Sequence, residues 1–223
     1  MKKLLSLIVL SLILFIPKNV SAQGFEITYQ QSFFKDPNWV PFHDQQVEFS
    51  TKYVLSYEEN CRELSLEGYM RSSTRPQGVG APSEGILSFV YMPNKNIGIK
   101  IGGGIIFTSV GEHARIRGEL FLQNELYYIK LIGENGGTTG YYWNGLLILK
   151  VWDWFNVGFM ADRNWLRAAT PEDGFGPRVE INVTGTPLLF FGGAIWPWGD
   201  CQNGDSGVQH TSPGAYLGGT LSF

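Results

Sequence analysis

Between residues 62 and 71 apolar and polar side chains change places at nearly every step: Leu64, Leu66, Gly68 and Met70 interleave with Glu63, Ser65, Glu67, Tyr69 and Arg71. A period of two is the repeat of a pleated strand, whose side chains point alternately to opposite faces, and it does not fit the 3.6-residue repeat of a helix. The pattern returns in residues 114–122, where Ala114, Ile116, Gly118, Leu120 and Leu122 stand against Arg115, Arg117, Glu119 and Phe121. Residues 97–108 repeat it again, with Ile97, Ile99, Ile101, Gly103, Ile105 and Phe107 on one face. A chain written this way builds sheet with one apolar and one polar side. Its 28 Gly, 7 Trp, 10 Tyr and 15 Phe, with 17% charged residues, agree with that and argue against a helical solenoid or a coiled coil.

Twelve segments read as strands: 24–32, 45–57, 62–71, 85–92, 97–108, 114–122, 126–133, 142–151, 155–162, 178–184, 187–196 and 214–223. Ten strands remain an alternative, because residues 123–133 and 185–196 alternate more weakly. The connections after the even-numbered segments are tight, such as Pro93 to Asn96 and Gly185-Thr186. Those after the odd-numbered ones are mostly long and rich in Gly, Pro and polar residues, as in Asn164 to Pro177 and Pro197 to Pro213. Tight turns on one side and long loops on the other are the layout of an antiparallel up-and-down barrel in a membrane. The segments average about ten residues, and a tilted strand needs ~9 to 11 to cross the hydrocarbon.

Alternation by itself does not say which face meets lipid, since a soluble barrel or β-sandwich carries its apolar face inward. The aromatics orient the chain. Phe25, Tyr57, Tyr91, Trp152, Trp154, Phe155 and Phe223 fall at the tight-turn end, and Phe33, Phe107, Tyr141, Tyr142, Trp143 and Trp196 at the long-loop end. Two belts of rings with aliphatic residues between them match the two interfaces of a bilayer.

The N-terminus carries an export signal. Lys2 and Lys3 precede an apolar run from Leu4 to Ile16, followed by Val20-Ser21-Ala22 with small residues at the cleavage positions. That run is too short for a spanning helix. Residues 1–22 therefore read as a signal peptide cleaved before Gln23, leaving residues 23–223 as one barrel domain. Cleavage removes three lysines and no acid, so the mature chain is more acidic than the formal −3 of the whole. With no basic stripe, nucleic acid is excluded as a partner.

Residues 214–223 end in Phe223, with Leu221, Gly219, Leu217 and Ala215 at alternate positions before it. This resembles the C-terminal strand signal of bacterial outer-membrane β-barrel proteins, the porin-like class. Leu217, Leu221 and Phe223 carry the resemblance as an assembly signal, and Gly219 is its weak member. The resemblance implies export across the periplasm, insertion by the barrel-assembly machinery and a bacterial outer-membrane location among lipid. No narrower family is indicated. In an even-stranded barrel both termini are periplasmic, so Cys61 falls in a periplasmic turn and Cys201 in an outer loop. An apolar band of ~25 Å separates them, whereas a disulfide tolerates a Cα separation of about 7 Å. Both cysteines are expected to be unpaired.

With the apolar face outward, the alternate residues line the lumen. Segments five to eight contribute Lys100, Arg115, Arg117, Lys130 and Lys150 with one acid, Glu119. Segments nine to twelve and one to three contribute Glu26, Glu48, Glu63, Glu67, Asp162 and Glu180, with Lys52 and Arg71 as exceptions. A basic wall facing an acidic wall sets up a transverse field in a narrow pore, which points to a porin-like channel for small polar or charged solutes. The alternative is a closed structural or surface-interaction barrel, whose charges pair across the lumen around inward apolar residues such as Ile86, Val90, Leu146, Ile148 and Phe191.

Other chemistry is thinly represented. His210, Ser212 and Asp200 or Asp205 permit a Ser/His/Asp arrangement, and hence a lipid hydrolase, but without the motifs of outer-membrane lipid hydrolases; no catalytic residue is assigned. His43, His113 and His210 lack ligand partners at useful spacing, so neither a metal nor another cofactor is expected. Gly102-Gly103-Gly104 lies within a strand and serves curvature rather than phosphate binding.

Overall fold

The computed structural model of the chain describes residues 22–35, 41–58, 62–74, 83–108, 111–135, 141–164, 174–197 and 213–223. The expected leader up to Ser21, Cys61 and Cys201, and Asp200, Asp205, His210 and Ser212 lie outside them.

All twelve alternating segments are strands: β1 (Ala22–Lys35), β2 (Pro41–Tyr57), β3 (Glu63–Thr74), β4 (Ser83–Asn94), β5 (Ile97–Thr108), β6 (Gly111–Gln123), β7 (Tyr127–Asn135), β8 (Tyr141–Trp152), β9 (Phe155–Asn164), β10 (Gly174–Asn182), β11 (Leu188–Pro197) and β12 (Gly214–Ser222). Each pairs antiparallel with its neighbours in sequence, and β12 pairs with β1, so the sheet is a closed barrel of twelve strands and not ten. Closure leaves no unpaired edge. At the seam the backbone N–H of Phe223 donates to Phe25 (2.8 Å) and that of Phe25 to Phe223 (3.1 Å).

The apolar face is outside. Ile101 is 63% exposed and Ile116 65%, whereas Arg115 and Arg117 are 7% and 5% exposed. Leu64, Ile99 and Leu120 share the outer surface. Since the period of a strand is two, one correctly placed residue fixes the side of every other on that strand. The outer surface is thus aliphatic at mid-height, with Phe25, Tyr57, Tyr91, Trp152, Trp154 and Phe223 exposed at the tight-turn end and Tyr141 and Trp196 at the other. Trp152 and Trp154 stack with centroids 5.7 Å apart. Tyr142 departs from the expected belt: it borders the interior, because its neighbour Tyr141 takes the outward position.

The tight turns are held by local side chains. Asn94 Oδ1 accepts from the backbone N–H of Asn96 and Ile97 (2.8 and 3.1 Å). Asn124 does the same for Leu126 and Tyr127 (2.8 Å each). Such Asx bonds substitute for a backbone turn and explain Asn at these positions. The turn after β10 is longer than the expected Gly185-Thr186, running from Val183 to Pro187 with Gly185 at φ 78°. The connection after β5 is two residues, 109–110, and so is an exception to the long-loop side.

Strand β10 begins four residues before the expected Arg178 and includes Pro177. Proline has no N–H to offer a ladder. Pro177 pairs with Phe159 of β9, while the pairing to β11 skips from Phe175↔Trp196 to Arg178↔Gly193.

Candidate functional site

The interior is the one enclosed polar surface built by every strand. Twelve strands ~4.8 Å apart and tilted ~40° form a wall roughly 24 Å across at the backbone, whose inward side chains take up part of the enclosed space. Two cavities occupy it, about 530 and 500 Å³. They share Glu26, Thr28, Glu48, Tyr69, Arg117, Gln123, Tyr128 and Lys130 as lining residues, so the two spaces adjoin at these side chains, a shared level termed the waist.

Of the charged residues read from the sequence, Glu26, Glu48, Lys52, Glu67, Arg71, Lys100, Arg117, Glu119, Lys130, Lys150, Asp162 and Glu180 border one or both cavities. Glu63 and Arg115 do not border them. Glu63 pairs with Lys52 at 2.6 Å, and Arg115 is engaged in the wall itself.

That wall is a continuous chain of opposite charges across β3 to β7. Glu67 meets Lys100 (2.6 Å), Lys100 meets Glu119 (3.1 Å), and Glu119 meets Arg117 (2.6 Å). Arg117 meets Glu134 (2.8 Å), Glu134 meets Arg115, Arg115 meets Glu84 (3.1 Å), and Glu84 meets Arg71 (2.8 Å). The contacts at Glu84 are ion pairs without hydrogen-bond alignment. Arg117 also lies over the Tyr69 ring, 4.4 Å from its centroid, a favourable place for a cation. Buried charges are tolerated when each has a partner and remaining donors are hydrogen-bonded. Four acids alternate with four bases, so the chain is electrically balanced.

This changes the expected separation of signs. Segments five to eight do not form a bare basic wall, because Glu84 and Glu134 neutralise the arginines beside them. Both acids lie one residue beyond the strand limits expected from the alternation, because β4 begins at Ser83 and β7 ends at Asn135. The signal that would have found them is parity: Glu84 is two residues before inward Ile86, and Glu134 four after inward Lys130. Arg178, within the tenth segment, also faces the interior. It pairs with Glu180 (2.9 Å) and lies 3.9 Å from the centroid of Phe191.

Opposite the charge chain the wall of β8 to β12 is partly apolar. Met160, Phe191, Ile195 and Tyr216 form a buried cluster with Leu146 against it. What remains unbalanced is small. Among the described residues Lys130 has no carboxylate within 4 Å, and Glu26 and Glu48 have no cation within that distance. The two acids accept from neutral groups, Ser222 Oγ (3.1 Å) and Gln46 Nε2 respectively. Lys150 donates to the backbone oxygen of Asn124 at 2.7 Å. Lys130 stands on β7, six strands from β1 in either direction, and so faces Glu26 across the lumen.

The assembly-signal residues all point outward next to the β1–β12 seam. Leu217 and Phe223 are exposed and Leu221 is half-buried, pairing with Ile27.

No protein-family model matches the chain, and no curated protein matches it in sequence. Solved structures do. A KdgM porin superposes with a TM-score of 0.56 at 14% identity, covering 89% of this chain and 99% of that one, and a KdgM porin in complex with disordered oligogalacturonate gives 0.53. The outer membrane phospholipase A from Escherichia coli gives 0.51 at 11% identity over 93% of each chain. The NanC porin gives 0.51 at 10% identity, covering 88% of this chain and 98% of that one. At these identities the likeness establishes the fold: this chain is a bacterial outer-membrane type β-barrel, a fold shared here by porins and by one enzyme.

Proposed function

We propose that residues 23–223, after removal of the leader, form a narrow channel in the bacterial outer membrane for small polar or charged solutes. The observation that carries this reading is the pair of adjoining cavities, about 530 and 500 Å³, meeting at a waist lined by charged and hydroxyl-bearing side chains inside an apolar cylinder. An outer surface of Ile, Leu and Phe with aromatic ends is stable in lipid and unstable in water. The same C-terminal residues, Leu217, Leu221 and Phe223, are the proposed handle for the barrel-assembly machinery. The likeness to KdgM and NanC porins supports transport over catalysis, and no catalytic role is assigned to any residue.

A second reading has its own observation. The charge chain on β3 to β7 and the apolar cluster on β8 to β12 both narrow the lumen, as in a closed barrel whose outer loops engage a partner. The two readings part in a planar bilayer. Purified, folded protein is expected to give discrete single-channel steps. A barrel that inserts and resists unfolding in detergent at room temperature but gives no steps would establish the closed form.

A further inference from the structure

We propose that the waist of the lumen is a recognition site for small zwitterions, which bind with the ammonium toward Glu26 and Glu48 and the carboxylate toward Lys130. This rests on the channel reading and goes beyond it by assigning a solute class.

The argument is one of leftover charge. Every cation and acid of the β3–β7 chain has a partner in the wall, as have Lys52 with Glu63 and Arg178 with Glu180. Lys130 lies diagonal to Glu119 on the neighbouring strand, but Glu119 is already matched by Arg117 and Lys100, so Lys130 adds a positive charge in excess of the balanced chain. Glu26 accepts from a hydroxyl and Glu48 from an amide, and Arg71, the cross-strand neighbour of Glu48, is already paired with Glu84, so both acids stay in excess of the balanced chain. The three groups border both cavities, so a solute passing from one to the other goes between them. They are also on opposed walls: Glu26 on β1 and Glu48 on β2, Lys130 on β7.

A solute with a single charge meets an attractive wall and a repulsive one in the same cross-section. A neutral solute gains hydrogen bonds from Tyr69, Tyr128 and Thr28 but leaves the three charges to water. A molecule with an ammonium at one end and a carboxylate at the other satisfies both walls at once, and the transverse field orients it across the passage.

The test is permeation into proteoliposomes, followed by swelling. Glycylglycine is compared with neutral N-acetylglycinamide, cationic glycinamide and anionic N-acetylglycine. In the unaltered protein glycylglycine is expected to enter about fivefold faster than the neutral compound, the factor that corresponds to ~1 kcal/mol, and faster than either singly charged one. In Lys130→Gln, and in Glu26→Gln combined with Glu48→Gln, the ratio of zwitterion to neutral rates should fall to one. Among the described residues none of the three has an opposite charge within 4 Å, and retained compactness on unheated SDS gels verifies folding. Equal rates in the unaltered protein, or a preference that survives both variants, would overturn the assignment while leaving the channel intact. Entry of none of the four compounds would instead bring down the channel reading itself, and the assignment with it.

Discussion

Glu134 shows how much one lumen residue carries. Its two oxygens hold Arg115 and Arg117, both nearly inaccessible to water. Removing one partner from a buried pair leaves an uncompensated charge and costs roughly 3–5 kcal/mol. Glu134→Ala should fall near the lower end, about 3 kcal/mol, because Arg115 keeps Glu84 and Arg117 keeps Glu119. Glu63 is a useful contrast. Its partner Lys52 has a side chain 31% exposed, and Glu63→Ala is expected to cost no more than ~1 kcal/mol. Urea titration of the protein folded into lipid vesicles, read by tryptophan emission, measures both. Equal losses would mean that the continuous chain confers no more stability than a single pair whose lysine is partly exposed.

At the scale of strands, sequence reasoning worked where the two faces differ most and failed where they do not. Residues 97–108 were placed to the residue, because Ile alternates there with Gly and Lys. The ends of β4 and β7 were cut short: toward the rim the outward positions lose their aliphatic residues, so the contrast that defines a period of two disappears. Glu84 and Glu134 lie in those ends, which is why the balanced charge chain was illegible although most of its members were named. The start of β10 was hidden for a different reason, since Gly and Pro at 174–177 are turn residues in any local reading. The glycines of β5 illustrate what only the folded wall can say. A Cβ on inward Gly104 would lie 1.9 Å from the carbonyl oxygen of Gly85, whereas one on outward Gly103 would have its nearest atom at 3.6 Å. Gly104→Ala should therefore block formation of the heat-modifiable barrel, and Gly103→Ala should leave it intact. Normal folding of both variants would show that β4 and β5 do not need this close approach.

For the molecule as a whole the decisive property is that it is built inside out relative to a soluble protein. A charge placed on the outside should cost according to depth. Ile101→Arg, at mid-height, is expected to lower stability in lipid by ~2–4 kcal/mol, and Leu126→Arg, in a turn at the rim, by ~0–1 kcal/mol. Refolding equilibria in vesicles give the two values. A loss of the same size at both positions would contradict a hydrocarbon belt around the middle of the barrel.

The alternation of signs along β3 to β7 has a further consequence for how such a protein changes over generations. Eight charges whose contributions cancel are nearly invisible from the far side of the lumen, so the discriminating potential comes from the few groups left over. If the lumen conducts as proposed, replacing one of those few changes its preference and leaves the paired charges of the wall in place. On the proposed channel reading, preference and stability are therefore set by different residues, and substitutions in the cancelling string act on folding first.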